Sequence, residues 1–202
     1  LRLAAGHLRW ADPDVLPGVW LEGEVAHQWH DAFPMSAWAG YGTAGYLARS
    51  LPWTPSLSYR YAAFSGDDPE TETYERFDPL YSGGLSEWLQ GITINKALSQ
   101  ANRRTQRIRF NVAPSEALNL TFDYYLHTAD TLNNRGGNPA LSILGSKDLG
   151  QELQFTARWA ASPNVYIQGI ASVALPGQAI EYATDGRAKP WTTVQGQLFW
   201  HF

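Results

Sequence analysis

Three arginines lie where their side chains could bind anions. Arg60, Arg107 and Arg109 each fall near the middle of a segment in which polar and apolar residues alternate, and each lies on the polar side. We expect one further strand between their two strands, which puts the guanidinium groups within roughly 10 Å of one another. Because arginine keeps its proton at any relevant pH, the cluster gives a permanent positive field that attracts carboxylates through several weak contacts. The sequence therefore predicts a path for anions.

Two further charged residues belong to the predicted path. Arg158 and Asp123 each lie on the polar side of another alternating segment. The alternative is structural: the inward arginines pair with carboxylates of the same wall, for which Asp123, Glu152 and Glu24 are the candidates. Both interpretations can hold together, because a wall carboxylate can fix an arginine in position.

A long acidic loop follows the strand that carries Arg60. It contains Asp67, Asp68, Glu75 and Asp78, which we predict to form a gate in which their carboxylates occupy the arginines until a substrate displaces them. A solvated loop without such a role is the alternative. Calcium is the one metal that these carboxylates suggest, although their spacing differs from that of an EF-hand loop, and we predict no other cofactor.

The residue types give little support for an enzyme or for a nucleic-acid-binding protein. The chain has no cysteine, and its five histidines show no metal-binding spacing. Asp123 and His127 share a face, as a catalytic pair would, but no nucleophile or second acid accompanies them. Arg103 and Arg104 form a short basic patch, yet the net charge is −4 and no nucleic-acid-binding motif is present. We predict no enzyme and no nucleic-acid partner, and we place this basic pair at an outer mouth that collects anionic substrate.

The elements that position these residues are strands. About ten segments alternate with a period of two, and no amphipathic helix is evident. No apolar run approaches the roughly 18 residues that a transmembrane helix needs. The sequence thus predicts one all-β, antiparallel domain over residues 1–202. The predicted strands are 1–10, 18–29, 36–48, 57–64, 88–98, 105–113, 117–127, 149–159, 165–175 and 192–202.

The last predicted strand, TTVQGQLFWHF, ends on an aromatic residue and resembles the assembly signal of bacterial outer-membrane barrels. An ordinary last strand of a soluble sandwich is the alternative. In such barrels the chain ends on the periplasmic side, where turns are short, whereas outer loops are long. Counting back gives short turns at 113–116 and 160–164 and long outer loops at 129–148 and 176–191. The acidic loop, at about 65–87, is long yet falls on the periplasmic side, where it would plug the mouth.

One stretch carries a family resemblance. The sequence SYRYAAFSGDD, followed by FDPLYSGG, resembles the alginate export family of bacterial outer-membrane β-barrels. The resemblance implies a transmembrane barrel of about eighteen strands, wide enough for an aqueous channel through which a polyuronate passes by diffusion. It also implies an anionic polysaccharide, outer-membrane lipid and periplasmic export proteins as partners. Because this chain has fewer strands, we expect it to be the carboxy-terminal part of a longer protein.

Three functions remain open at this point. The first is passive export of an alginate-like polyuronate through an arginine-lined lumen in the bacterial outer membrane, gated by a periplasmic loop. The second is a general anion-selective porin or uptake channel on the same wall. The third, from a different class, is an outer-membrane enzyme or a soluble β carbohydrate-binding module.

Overall fold

Nine antiparallel strands form a single sheet in the computed structural model, which describes residues 1–80, 90–134 and 138–201. Each strand is hydrogen-bonded to its neighbours in the chain, so the strand order in the sheet is the order in the sequence. The prediction of an all-β antiparallel fold is confirmed. The strands are β1 (Arg2–Trp10), β2 (Val19–Trp29), β3 (Ser36–Leu47), β4 (Ser56–Phe64), β5 (Arg103–Ser115), β6 (Leu118–Thr128), β7 (Asp148–Ser162), β8 (Val165–Pro176) and β9 (Trp191–Trp200).

The connections carry little regular structure. Two short α-helices, α1 (Ile94–Ala97) and α2 (Gln178–Ala183), and a 3₁₀ turn at Pro139–Leu141 lie between strands. In the described ranges, no helix is long and apolar enough to cross a membrane. The terminal Phe202, the YSGG part of the family motif and the 81–87 part of the acidic loop lie outside the described residues.

The two faces of the sheet differ as the alternation predicts. On the outer face, large apolar side chains are exposed: Leu57 is 56% accessible and Phe122 is 50% accessible. Residues of the same strands that face inward are buried, with Arg60 at 1% and Asp123 at 3% accessibility. Side chains of successive residues in a strand point to opposite faces, so a period of two separates an apolar surface from a polar one.

The prediction of a strand at 88–98 is wrong. Residues 94–97 form α1, and β4 pairs directly with β5, so that Arg60 lies opposite Arg107 in the register. Ile92 and Ile94 are separated by the polar Thr93, a spacing that resembles a strand, but all three side chains are buried in the structure. The two arginine-bearing strands are therefore nearest neighbours, and no strand separates them.

Because β4 pairs directly with β5, the acidic loop lies at a different end of the sheet from the one predicted, relative to the other long loops. Successive antiparallel strands alternate in direction, so the connections 65–102, 129–147 and 177–190 all leave the sheet at one end. The short connections 48–55, 116–117 and 163–164 lie at the other end. The prediction that the acidic loop alone lies opposite the other long loops is therefore wrong, because it counted an extra strand.

The long connections fold back over the inner face. On β2 to β4 that face carries four alanines, and Phe77 of the 65–102 connection packs against them. The alanines are Ala26, Ala37, Ala39 and Ala62. Small side chains leave room for the incoming chain, and the buried Phe77 ring contributes about 2 kcal/mol of hydrophobic stabilisation. A second apolar cluster joins Ile94 to Leu144 and Ile180, one residue from each long connection.

Candidate functional site: an arginine–carboxylate network on the inner face

The three predicted arginines meet on the inner face. Arg60 and Arg107 are direct cross-strand partners, and Arg109 lies two residues further along β5. Like charges directly opposite each other in a sheet repel, so this arrangement requires compensation. Both cross-strand partners are almost fully buried, at 1% and 2% accessibility, which increases the need for counter-charges.

Asp123 of β6 supplies the first counter-charge. Arg109 donates from Nε to Asp123 Oδ1 over 2.7 Å and from Nη2 to Oδ2 over 3.1 Å. Arg107 Nε lies 3.9 Å from the same Oδ1. A two-pronged guanidinium–carboxylate pair fixes both position and orientation, so Asp123 holds Arg109 firmly and Arg107 more loosely. The predicted pairing with a wall carboxylate is confirmed for Asp123.

Arg60 is held from the other side, by β2 and β3. Its Nε donates to the Thr43 hydroxyl over 2.7 Å, and its Nη2 lies 3.6 Å from a Glu22 carboxylate oxygen. The guanidinium carbon lies 4.1 Å from the centroid of the Tyr41 ring, in cation–π geometry. The Tyr41 hydroxyl in turn donates to Glu22 over 3.1 Å. Among the carboxylates that the structure describes, Glu22 and not the expected Glu24 lies beside this arginine.

Arg158 lies apart from the other three. Its Nε donates to Gln168 Oε1 over 2.9 Å, and Gln168 Nε2 donates to Gln197 over 3.2 Å. Gln154 of β7 lies opposite Asp123 in the register. Arg158 is four residues further along β7, which corresponds to about 13 Å along the strand. Arg158 therefore belongs to a separate polar row on the inner face, nearer the short connections.

The pair Asp123 and His127 does not form a catalytic dyad. Asp123 is engaged by the arginines, and His127 Nδ1 lies 3.0 Å from the Thr105 hydroxyl. The basic pair is also divided: Arg103 faces inward and is buried, whereas Arg104 binds Asp130 over 2.7 Å on the opposite face. Neither motif retains the arrangement that suggested its function.

The acidic residues of the loop organise the loop itself. Asp67 accepts the Glu75 backbone N–H over 2.8 Å, Asp68 accepts that of Glu70, and Asp78 accepts that of Leu80, both over 3.0 Å. Short acidic side chains commonly bind nearby backbone N–H groups in turns. In residues 1–80, 90–134 and 138–201, no three acidic or histidine side chains converge in a way that could hold a metal ion.

Glu152 is one of the candidate partners of the arginines in the sequence, but in the structure it binds other groups. It is fully buried, and its two carboxylate oxygens accept the backbone N–H groups of Thr93 and Ile94 over 3.0 and 2.9 Å. Ser172 also donates to it over 2.6 Å. Hydrogen bonds to a charged group are roughly twice as strong as neutral ones. Glu152 thus fastens the start of α1 to the wall formed by β7 and β8.

Further contacts fasten the same connection at two points. At the first, the Thr93 hydroxyl lies 2.9 Å from the Ser172 and Thr193 hydroxyls. At the second, Gln28 exchanges two hydrogen bonds with the backbone of Asp78, over 2.6 and 2.8 Å. The described parts of the 65–102 connection are therefore bound to β2 on one side and to β7, β8 and β9 on the other.

A sheet with an apolar outer face and a polar, charge-bearing inner face has the residue distribution of a transmembrane barrel wall. The family model described as "Alginate export" matches residues 15–193, so this chain belongs to the alginate export family. That family consists of outer-membrane β-barrel proteins, and it is a family of transport proteins and not of enzymes. Among curated proteins, no sequence matches the chain.

Proposed function

We propose that this chain forms part of the wall of an outer-membrane channel for passive export of an anionic polysaccharide, an alginate-like polyuronate. The observation that carries the proposal is the inner-face row of Arg60, Arg107 and Arg109, behind an apolar outer surface. A polyuronate presents carboxylates at regular intervals, and fixed guanidinium groups attract them without any change of protonation.

Partial neutralisation suits a transport path better than a tight binding site. Asp123 is shared by Arg107 and Arg109, and Glu22 lies beside Arg60. A conducted anion must be attracted strongly enough to enter and weakly enough to leave. Wall carboxylates that already occupy part of each guanidinium weaken every individual contact with the polymer, so the chain can advance from one arginine to the next.

The 65–102 connection is the proposed gate. It covers the inner face and is fastened by Glu152 at one point and by Gln28 at another. Because it leaves the sheet at the end with the other long connections, the rule that outer loops are the long ones assigns the gate to the outer mouth. This revises the periplasmic position expected from the sequence. Wall carboxylates lie beside the arginines, and we propose that the gate acts by covering the path.

Block of ion current by a polyuronate tests the proposed substrate class. The full-length protein would be reconstituted in a planar bilayer in monovalent salt, and an oligomeric polyuronate added to one side. We expect a concentration-dependent reduction of the current, weakened in R109Q and retained in R104Q, whose guanidinium lies on the other face. An uncharged glucan of the same length should block far less. Equal block by the two polymers would favour a general porin and contradict the proposed selectivity.

A further inference from the structure

Arg103 is a buried cation outside the network described above. It is the first residue of β5 and is fully buried, with 0% accessibility. Its Nη2 donates to Asn95 Oδ1 on α1 over 2.8 Å. Its Nε and Nη1 are buried without a hydrogen-bond acceptor, and within the described ranges it forms no ion pair. A buried guanidinium in this state is costly unless something else supplies negative charge.

The carboxylate of Glu152, whose charge acts on Arg103, is already engaged. Both oxygens of Glu152 accept backbone N–H groups, from Thr93 and Ile94, and Ser172 donates to one of them as well. Glu152 therefore supplies part of the charge balance at a distance, and it does not satisfy the remaining N–H groups of Arg103.

A small cavity lies beside Arg103. Its volume is about 50 Å³, and its polar lining consists of Arg103, Asn102, Asn134, Asn138 and Ser99, beside apolar side chains. One water molecule occupies about 30 Å³ in the liquid, so the space suits a small ion and is too small for a sugar ring. The cavity lies where the 65–102 connection meets the 129–147 connection.

The side-chain oxygens of the cavity wall are already engaged, and Asn102 uses both its oxygen and its NH₂ group on Thr131. Asn134 uses its side-chain oxygen to accept the Asp67 backbone N–H over 2.9 Å, and Asn138 uses its own to accept that of Ala140 over 3.1 Å. In both side chains the NH₂ group, which can only donate, is left for other partners. The NH₂ group of the buried Asn134 and the incompletely satisfied guanidinium of Arg103 match an anion, and they offer little to a cation.

We propose that this cavity binds a small monovalent anion of the halide class, chloride above all, with Arg103 as its principal ligand. The ion balances the buried guanidinium and links three parts of the protein: β5, the segment around α1, and the 129–147 connection. Its binding stabilises the covered state of the inner face. This site is separate from the arginine row proposed to conduct the polymer.

Thermal unfolding of the full-length protein in detergent tests the proposal. The measurement compares sodium chloride with sodium gluconate at constant ionic strength, because gluconate is too large for the cavity. We expect a saturable upward shift of Tm with chloride in the wild type. The shift should be lost in R103M, which keeps much of the side-chain volume without the charge. It should persist in R104M, the matched control on the opposite face. Equal Tm values in the two salts, or a chloride shift that persists in R103M, would overturn the proposal.

A second measurement uses only the wild type, in case R103M fails to fold. Crystals grown in sodium bromide would be examined by anomalous diffraction. A bromide peak within hydrogen-bonding distance of Arg103 Nε or Nη1 supports the site. A cavity that contains only water at saturating bromide overturns it.

Discussion

At the scale of single residues, Asp123 is the centre of the charge balance. One carboxylate, 3% accessible, faces two guanidinium groups that the register places two residues apart on β5. Its inward position could be predicted from the alternation, because Asp123 in β6 and Arg109 in β5 are polar residues that alternate with apolar ones. The partner of Arg60 could not, since the choice of Glu22 over Glu24 depends on the register between β2, β3 and β4.

Replacing Asp123 with Asn should destabilise the protein. The change leaves buried guanidinium groups with less counter-charge, and breaking a buried pair from one side typically costs about 3–5 kcal/mol. Unfolding in denaturant, in lipid or detergent, measures the difference. D185N is the control, because Asp185 pairs with Arg187 in an exposed position and such pairs contribute about 0–1 kcal/mol. If D123N and D185N lose equally little stability, Asp123 is not the counter-charge described here.

At the scale of elements, the strands were predictable and the packed connections were not. The outer face is apolar and the inner face is polar, so the chemistry of each strand residue indicates the face on which it lies. The 65–102 connection lacks such a local signal. Its fastening depends on pairs such as Glu152 and Thr93, which are 59 residues apart in the sequence. The segment around α1 therefore resembles a strand in the sequence, although it forms a short helix fastened to the wall.

Replacing Glu152 with Gln should loosen the proposed gate while the sheet stays intact. The amide offers one acceptor oxygen where the carboxylate offers two, so Thr93 or Ile94 loses its acceptor. A loss of about 1.5 kcal/mol, typical for a hydrogen bond to a charged group, shifts the ratio of covered to open states roughly tenfold. Single-channel recording of the full-length protein should show a larger open fraction. E181Q, on the exposed part of α2, is the control, and an open fraction unchanged in E152Q would mean that the connection does not gate.

At the scale of the whole molecule, a wall of a membrane channel should contact lipid with its outer face. Val194 of β9 is 87% accessible on the outer face, and the adjacent Gln195 lies on the inner face. Arginine at a lipid-facing position near mid-height should cost about 2–4 kcal/mol, and much less on the polar side. Refolding of V194R and Q195R into lipid vesicles measures both penalties. Equal penalties at the two positions would argue against a membrane-facing wall.

The central claim is that the arginine row makes the path selective for anions, and the reversal potential tests it most directly. Arg109 is suitable because its side chain is 23% accessible, so its charge reaches the lumen. The full-length channel would be measured across a salt gradient as wild type, R109K, R109Q and R109E, with the folded fraction recorded beside each. We expect anion preference in the wild type and in R109K, a smaller preference in R109Q, and a shift towards cations in R109E. Reversal potentials that stay equal in all four folded proteins would contradict the arginine path, even with the barrel wall intact.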